Sequence, residues 1–202
     1  MKSTSRRCAN CKKKVPAVDA LIGGLRAFCS FDCMRSFTSS DRGQEAIRTQ
    51  KEKQVRADRR IFREKSKSRG QWMREAQAAF NAYIRWRDRN DPCISCGKHV
   101  RGDLYGGNID AGHYLARGSN KGHFLRFHTW NTHAQCVHCN RYKNGAVADF
   151  RVGLIWKIGH EKVEWLETQN HHVDYSVEYL KRIKSIFASK LKIKMKINSQ
   201  KC

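Results

Sequence analysis

The side chains best suited to chemistry lie between two pairs of cysteines. Asp110-Ala111-Gly112-His113-Tyr114 and Asn131-Thr132-His133-Ala134-Gln135-Cys136 fall between Cys93-x2-Cys96 and Cys136-x2-Cys139, and Asn140 and Lys143 follow the second pair. A neutral histidine can take a proton from water near pH 7. A divalent cation held by a few oxygen ligands can neutralise a scissile phosphate and its leaving oxygen. An amide can orient the histidine by accepting its other N–H. His, Asn, Asp and Lys gathered on one loop are the parts needed for metal-assisted phosphodiester hydrolysis.

The cysteines must hold that loop. A Cys-x2-Cys turn lets two sulfurs converge on one ion, and two such knuckles close a tetrahedral zinc site. Cys93, Cys96, Cys136 and Cys139 form such a set, with 39 residues between the pairs. A second set, Cys8-x2-Cys11 and Cys29-x3-Cys33, is separated by 17 residues and predicts a small zinc-ribbon or treble-clef finger. Two structural Zn2+ ions are therefore expected, and only Cys202 is left over. A zinc held by four thiolates has no open position, so any reaction must use the residues on the loop. Pro92-Cys93-x2-Cys96 also matches half of a nucleobase deaminase signature, but the required His-x-Glu upstream is missing.

Charge narrows the partner. Lys and Arg number 41 against 18 Asp and Glu, a formal net charge of +23. Such an excess fits a polyanion, with affinity that falls steeply as salt rises. No apolar run approaches the length of a membrane span, and the N-terminus shows no apolar signal-peptide segment. The expectation is a cytoplasmic protein that binds no membrane, in a reducing compartment where paired cysteines are more often metal ligands than disulfides.

Four sections must position these groups. Residues 1–36 hold the first cysteine set. Residues 37–70 are rich in Arg, Lys, Gln and Glu with little to bury, a basic helical arm or linker. Together these two sections carry 19 Lys and Arg against 7 Asp and Glu. Residues 71–150 open with a helix near Trp72–Asp88, where Trp72, Ala76, Ala79, Phe80, Tyr83 and Ile84 recur at helical spacing. Asn90-Asp91-Pro92 stops it. Residues 151–202 read as C-terminal helices with a basic tail: Val152–Ile158, Glu161–Glu167, and Ser176–Ile193 with Ser176 as N-cap.

Cys93-x2-Cys96, His113, Asn131-x4-Cys136-x2-Cys139-Asn140-x2-Lys143 together resemble an HNH (ββα-metal, His-Me finger) nuclease over roughly residues 91–146. The resemblance implies an α+β fold, small and zinc-stabilised, in which a β-hairpin and a helix surround one catalytic Mg2+ or Mn2+. It implies His113 as general base, Asn131 as the residue that orients it, and Asn140 as a ligand of the catalytic metal. The endonuclease VII type of phage junction resolvase is similar, with Asn directly after the last zinc cysteine. Many HNH enzymes carry an acidic or His ligand immediately before the base, where this chain has Gly112. Asp110 is the candidate replacement. Residues three apart on a regular strand point to opposite faces, so this needs a bend that Gly112 could permit. His133 is a candidate second metal ligand or phosphate contact, and Lys143, Arg117 and Arg126 are candidate phosphate contacts.

The whole chain is also similar to the NinG (Rap) recombination proteins of lambdoid phages. The carriers are the N-terminal four-cysteine finger, the basic arm, Asp-Pro-Cys-Ile-Ser-Cys-Gly, Asp-Ala-Gly-His-Tyr, Leu125-Arg126-Phe127 and Asn131-x-His133-x-Gln135-Cys136. That family implies a structure-specific endonuclease acting on branched DNA such as Holliday junctions and D-loops, alongside phage or host recombination proteins. Two symmetric cuts need two active sites, so a homodimer is a hypothesis to carry. The competing reading is a non-catalytic zinc protein that binds branched DNA and assists recombination.

Overall fold

The computed structural model describes residues 5–99, 108–118 and 123–199. Cys202 lies outside the described residues. The chain divides into two compact units, residues 1–67 and residues 68–202.

The first unit pairs β1 (Ser5–Arg7) with β2 (Lys14–Pro16), and β3 (Leu21–Gly23) with β4 (Arg26–Phe28), both antiparallel. A bridge from Cys8 to Ala27 joins the two hairpins. Helix α1 (Phe31–Ser39) starts at Ser30, whose side chain accepts the Cys33 N–H. Phe28 and Phe37 pack with Cys8 as the small core. Helix α2 (Asp41–Lys65), capped by Ser40, is the basic arm. It buries only Gly43, while Ile61 and Phe62 are exposed. Its stability over 25 residues rests on good helix formers and a cap, not on an apolar face.

The second unit opens with α3 (Arg69–Arg87). Ser68 and Gln71 form a capping box, each satisfying an N–H of the other. Trp72, Ala76, Phe80 and Ile84 recur at spacings of four and are buried. They pack against Leu180 and Phe187 of α6 (Val177–Ser199). Arg69 bonds Asp174 and Arg89 bonds Asn198, so α3 and α6 run parallel. Ser176 accepts the Tyr179 N–H and caps α6 as expected.

Between these elements β5 (Ile109–His113) pairs antiparallel with β6 (Thr132–Cys136). Helix α4 (Val147–Ile158) follows, starting five residues earlier than the apolar pattern suggests, and α5 (His160–Thr168) comes after it. Phe150 and Leu154 of α4, with Val163 and Leu166 of α5, bury Tyr114 and Leu125 in a second core. Gly153 lets α4 lie directly on the first knuckle: a Cβ there would come within 1.9 Å of the Ile94 carbonyl oxygen. None of the described helices is long and apolar enough to cross a membrane.

Candidate active site

Both cysteine sets assemble. Within each quartet the four sulfurs lie within 4.8 Å of one another. Cys11 and Cys29 are 3.5 Å apart at sulfur, and Cys96 and Cys136 are 3.9 Å apart. Four sulfurs at about 2.3 Å from one ion would be separated by about 3.8 Å, so either set could hold zinc. The Cys136 N–H points at Cys93 Sγ (3.3 Å) and the Cys139 N–H at Cys136 Sγ (3.4 Å), which disperses thiolate charge. Among the described residues no other group of three or more His, Cys, Asp or Glu converges in this way.

Beside the second quartet lies an open cleft of about 630 Å³. His113, Arg117, Arg126, Asn140, Asn144 and Gly145 are among its walls. His113 ends β5 and packs against Phe80 of α3, ring centroids 6.2 Å apart. Its Nε2 donates to the Arg126 carbonyl at 3.0 Å. A carbonyl only accepts, so the proton sits on Nε2 and Nδ1 keeps its lone pair. Burial pulls the His113 pKa down to about 4. The charges of Arg117 and Arg126 push the same way, and the Arg126 and Ala111 carbonyls oppose them. His113 is therefore neutral at physiological pH.

The orienting group differs from expectation. Asn131 makes no bond to His113. It is fully buried, its Oδ1 accepts the Leu115 N–H (2.9 Å), and its Nδ2 donates to the Leu115 and Leu125 carbonyls (3.1 and 3.3 Å). It thereby fixes the 3-10 turn Leu125–Phe127, which carries the Arg126 carbonyl. Asn131 acts on the histidine through backbone, one step removed.

Asp110 also sits differently. The β5–β6 register is unbroken from Ile109↔Cys136 to His113↔Thr132, so no bend occurs. Asp110 and His113 take opposite faces of the strand. Gly112 provides space instead: a Cβ there would lie 2.2 Å from Gln135 Oε1. Asp110 Oδ2 accepts Asn140 Nδ2 and Arg141 Nε, and Oδ1 accepts Arg141 Nη2, all at 2.8 Å. The Arg141 guanidinium, then Asn140, hold the Asp110 carboxyl below the usual carboxylate range despite partial burial. Because the carboxylate takes the Asn140 NH2, the Asn140 Oδ1 is left for another partner. Asp110 itself does not line the cleft, and both of its oxygens are taken by Asn140 and Arg141.

The structure does not bring His133 to the cleft. It is 3% exposed, with Nε2 donating to the Trp130 carbonyl and Nδ1 accepting from Arg87. Burial lowers its pKa against the pull of Asp88, so it is a neutral interior histidine. Arg87 clamps buried Asp88, which also accepts the Ala134 N–H, and this network ties the end of α3 to β6. Lys143 is exposed at the end of the wide turn His138–Tyr142, outside the cleft wall.

Arg117 and Arg126 do reach the cleft, and no acidic side chain lines it among the described residues. Arg126 donates to Gln77 and to the Arg117 carbonyl. Its Nε is buried without a hydrogen-bond partner among the described residues. The start of α4, where Asn144, Gly145 and Ala146 all have positive φ, has no side-chain cap and adds its partial positive charge. The cleft is thus a place for an anion beside a neutral histidine. Sequence reasoning missed Arg141 and the Arg87–Asp88 pair, because their partners lie 31 and 46 residues away.

A family model described as Bacteriophage Lambda NinG protein matches residues 1–197. Protein ninG of Escherichia phage lambda is 43% identical over 126 residues, covering 62% of this chain and 58% of that protein. Protein ninG of Salmonella phage P22 is 42% identical over 126 residues, 62% of this chain and 59% of that protein. The matched stretch spans about three fifths of the length of these curated relatives. No solved structure matches.

Proposed function

The chain belongs to the NinG family of lambdoid bacteriophages, and on that premise we propose that it is a structure-specific DNA endonuclease of phage recombination. Its substrates are branched intermediates, Holliday junctions and D-loops, cut by HNH-type metal-assisted hydrolysis. The observation that carries this reading is His113 with its Nε2 proton held by the Arg126 carbonyl, in a cleft whose two arginines have no carboxylate partner among the described residues. A pure binding surface has no use for a buried, neutral histidine held in one tautomer.

In this reading the basic surface holds the DNA backbone, with Arg117 and Arg126 on the scissile phosphate. His113 Nδ1 takes the proton of the attacking water, and the Arg126 carbonyl keeps the ring in the tautomer that can do so. Asn140, with Asp110 behind it, would hold Mg2+ or Mn2+, and the ion would supply charge neutralisation at the phosphate and the leaving oxygen. The products are a 5′-phosphate and a 3′-hydroxyl. Zinc in the second quartet does no chemistry and fixes the ends of the loop that carries the site.

Purified protein on a synthetic four-way junction, with Mg2+ or EDTA, tests the activity. Metal-dependent nicking that disappears in His113→Ala is the expected result. Junction binding without nicking would establish the non-catalytic binding protein instead. Gel filtration with and without junction tests for the dimer that paired cuts require.

A further inference from the structure

We infer that the groove between α1 and α2 in the first unit binds an acidic peptide segment of another protein, anchored by one bulky apolar side chain. The inference does not depend on nuclease activity.

Helix α2 buries only Gly43, so most of its sides are open. Ile47 and Lys51 stand four residues apart and share one face. That face, the facing side of α1 and the β3–β4 hairpin line a groove of about 440 Å³. Ligand pockets span about 300–1,000 Å³, so one large side chain and its neighbouring backbone fit. The interior is apolar. Phe28 and Phe37 lie with ring centroids 5.6 Å apart, Met34 packs beside them, and Ile47 remains 43% exposed.

The charge around this apolar interior is of one sign. Arg26 and Lys51 line the groove, and no acidic side chain does among the described residues. Arg26 lies over the Phe37 ring, 5.6 Å from its centroid, and donates to the Gln50 side chain and the Ala46 carbonyl. Both acceptors are neutral, so they position the guanidinium without cancelling its charge. A carboxylate arriving there gains a charge-assisted bond. An apolar side chain set among carboxylates matches both features at once, as anchor residues do at protein interfaces. A phosphate backbone would meet the cations but leave the apolar interior wet. A second copy of this unit would be repelled, because residues 1–70 carry 19 Lys and Arg against 7 Asp and Glu.

Fluorescence polarisation with labelled hexapeptides tests this on the full, zinc-loaded chain. Four acidic residues followed by Leu-Phe should bind at least about tenfold more tightly than four acidic residues followed by two serines, the worth of one buried apolar anchor. A net charge of +23 attracts any acidic peptide, so equal affinity for the two overturns the inference. Ile47→Glu should weaken the Leu-Phe peptide about tenfold, since it puts a carboxylate into the apolar interior. Val18→Glu makes the same charge change at a residue 91% exposed and outside the lining, and should alter affinity less than about twofold. Lys51→Gln, at an exposed position, should cost about threefold and keeps the test alive if Ile47→Glu loses zinc or helix. Equal losses in the groove variants and Val18→Glu would show attraction by charge alone and sink the idea. So would a thymidine hexanucleotide that displaces the Leu-Phe peptide and is itself weakened by Ile47→Glu but not by Val18→Glu, because the groove would then be a nucleotide site.

Discussion

The two cysteine quartets use the same ligands for different work. In the first unit the quartet stands among two short hairpins and α1, with Cys8, Phe28 and Phe37 as its buried apolar core. So small a core supplies little burial, and a metal there would take the place of packing. In the second unit the quartet sits at the edge of two larger cores. There it fixes β6 at one end and Asn140 at the other, next to the cleft. Four thiolates are thus a means of stability in one unit and of positional precision in the other. A loop closed by four cysteines becomes the scaffold of a candidate site only when a packed core supplies the rest of the geometry.

The sharpest way to break that contrast is to remove one quartet at a time. Cys139→Ser should lose one zinc per chain by elemental analysis and abolish junction cutting. Cys8→Ser should also lose one zinc, yet retain cutting by the second unit at saturating DNA. Equal loss of cutting in both would erase the distinction. Next in size, His113→Ala should lower the cleavage rate by about 10²–10⁴, the usual worth of a general base, with zinc content and junction affinity unchanged. Asn131→Ala leaves the Leu115 and Leu125 backbone groups buried and unpaired, so unit two should lose about 3 kcal/mol in denaturant unfolding. It should also slow cutting, since the Arg126 carbonyl loses its support.

The smallest effect is on pH. His113 is neutral above about 4, so the acid limb of the rate profile should lie well below the ordinary histidine value of about 6.5. Flat rates from pH 8 down to about 5 are expected, and a fall centred on 6.5 would argue against His113 as the base. Stability moves oppositely to that of a histidine whose pKa is raised by an anionic partner. Between about 6.5 and 4 the unfolded chain takes up a proton that folded His113 refuses, so unit two should lose stability as pH falls through that window. Melting at pH 7 and pH 5 checks the sign.

Much of this was legible in the residues alone. The knuckles are local, because a Cys-x2-Cys turn places its own sulfurs, and both quartets assemble as spacing required. The α3 face was legible as well, since a 3.6-residue period puts Trp72, Ala76, Phe80 and Ile84 on one side of any helix. His113 stood out because few residue types can exchange a proton near neutrality. What the sequence could not state is who touches whom across the fold. The Arg126 carbonyl, 13 residues away, took the role expected of Asn131. Asp110 turned out to be held by Arg141, 31 residues away, and His133 to accept from Arg87, 46 residues away. Such pairings depend on strand register and on which face of β5 meets which helix. The residue types and the metal ligands were therefore set by the sequence. The tautomer of His113, the outward oxygen of Asn140 and the partner of Asp110 were decided only by packing, because each is fixed by a neighbour that the folded chain brings near.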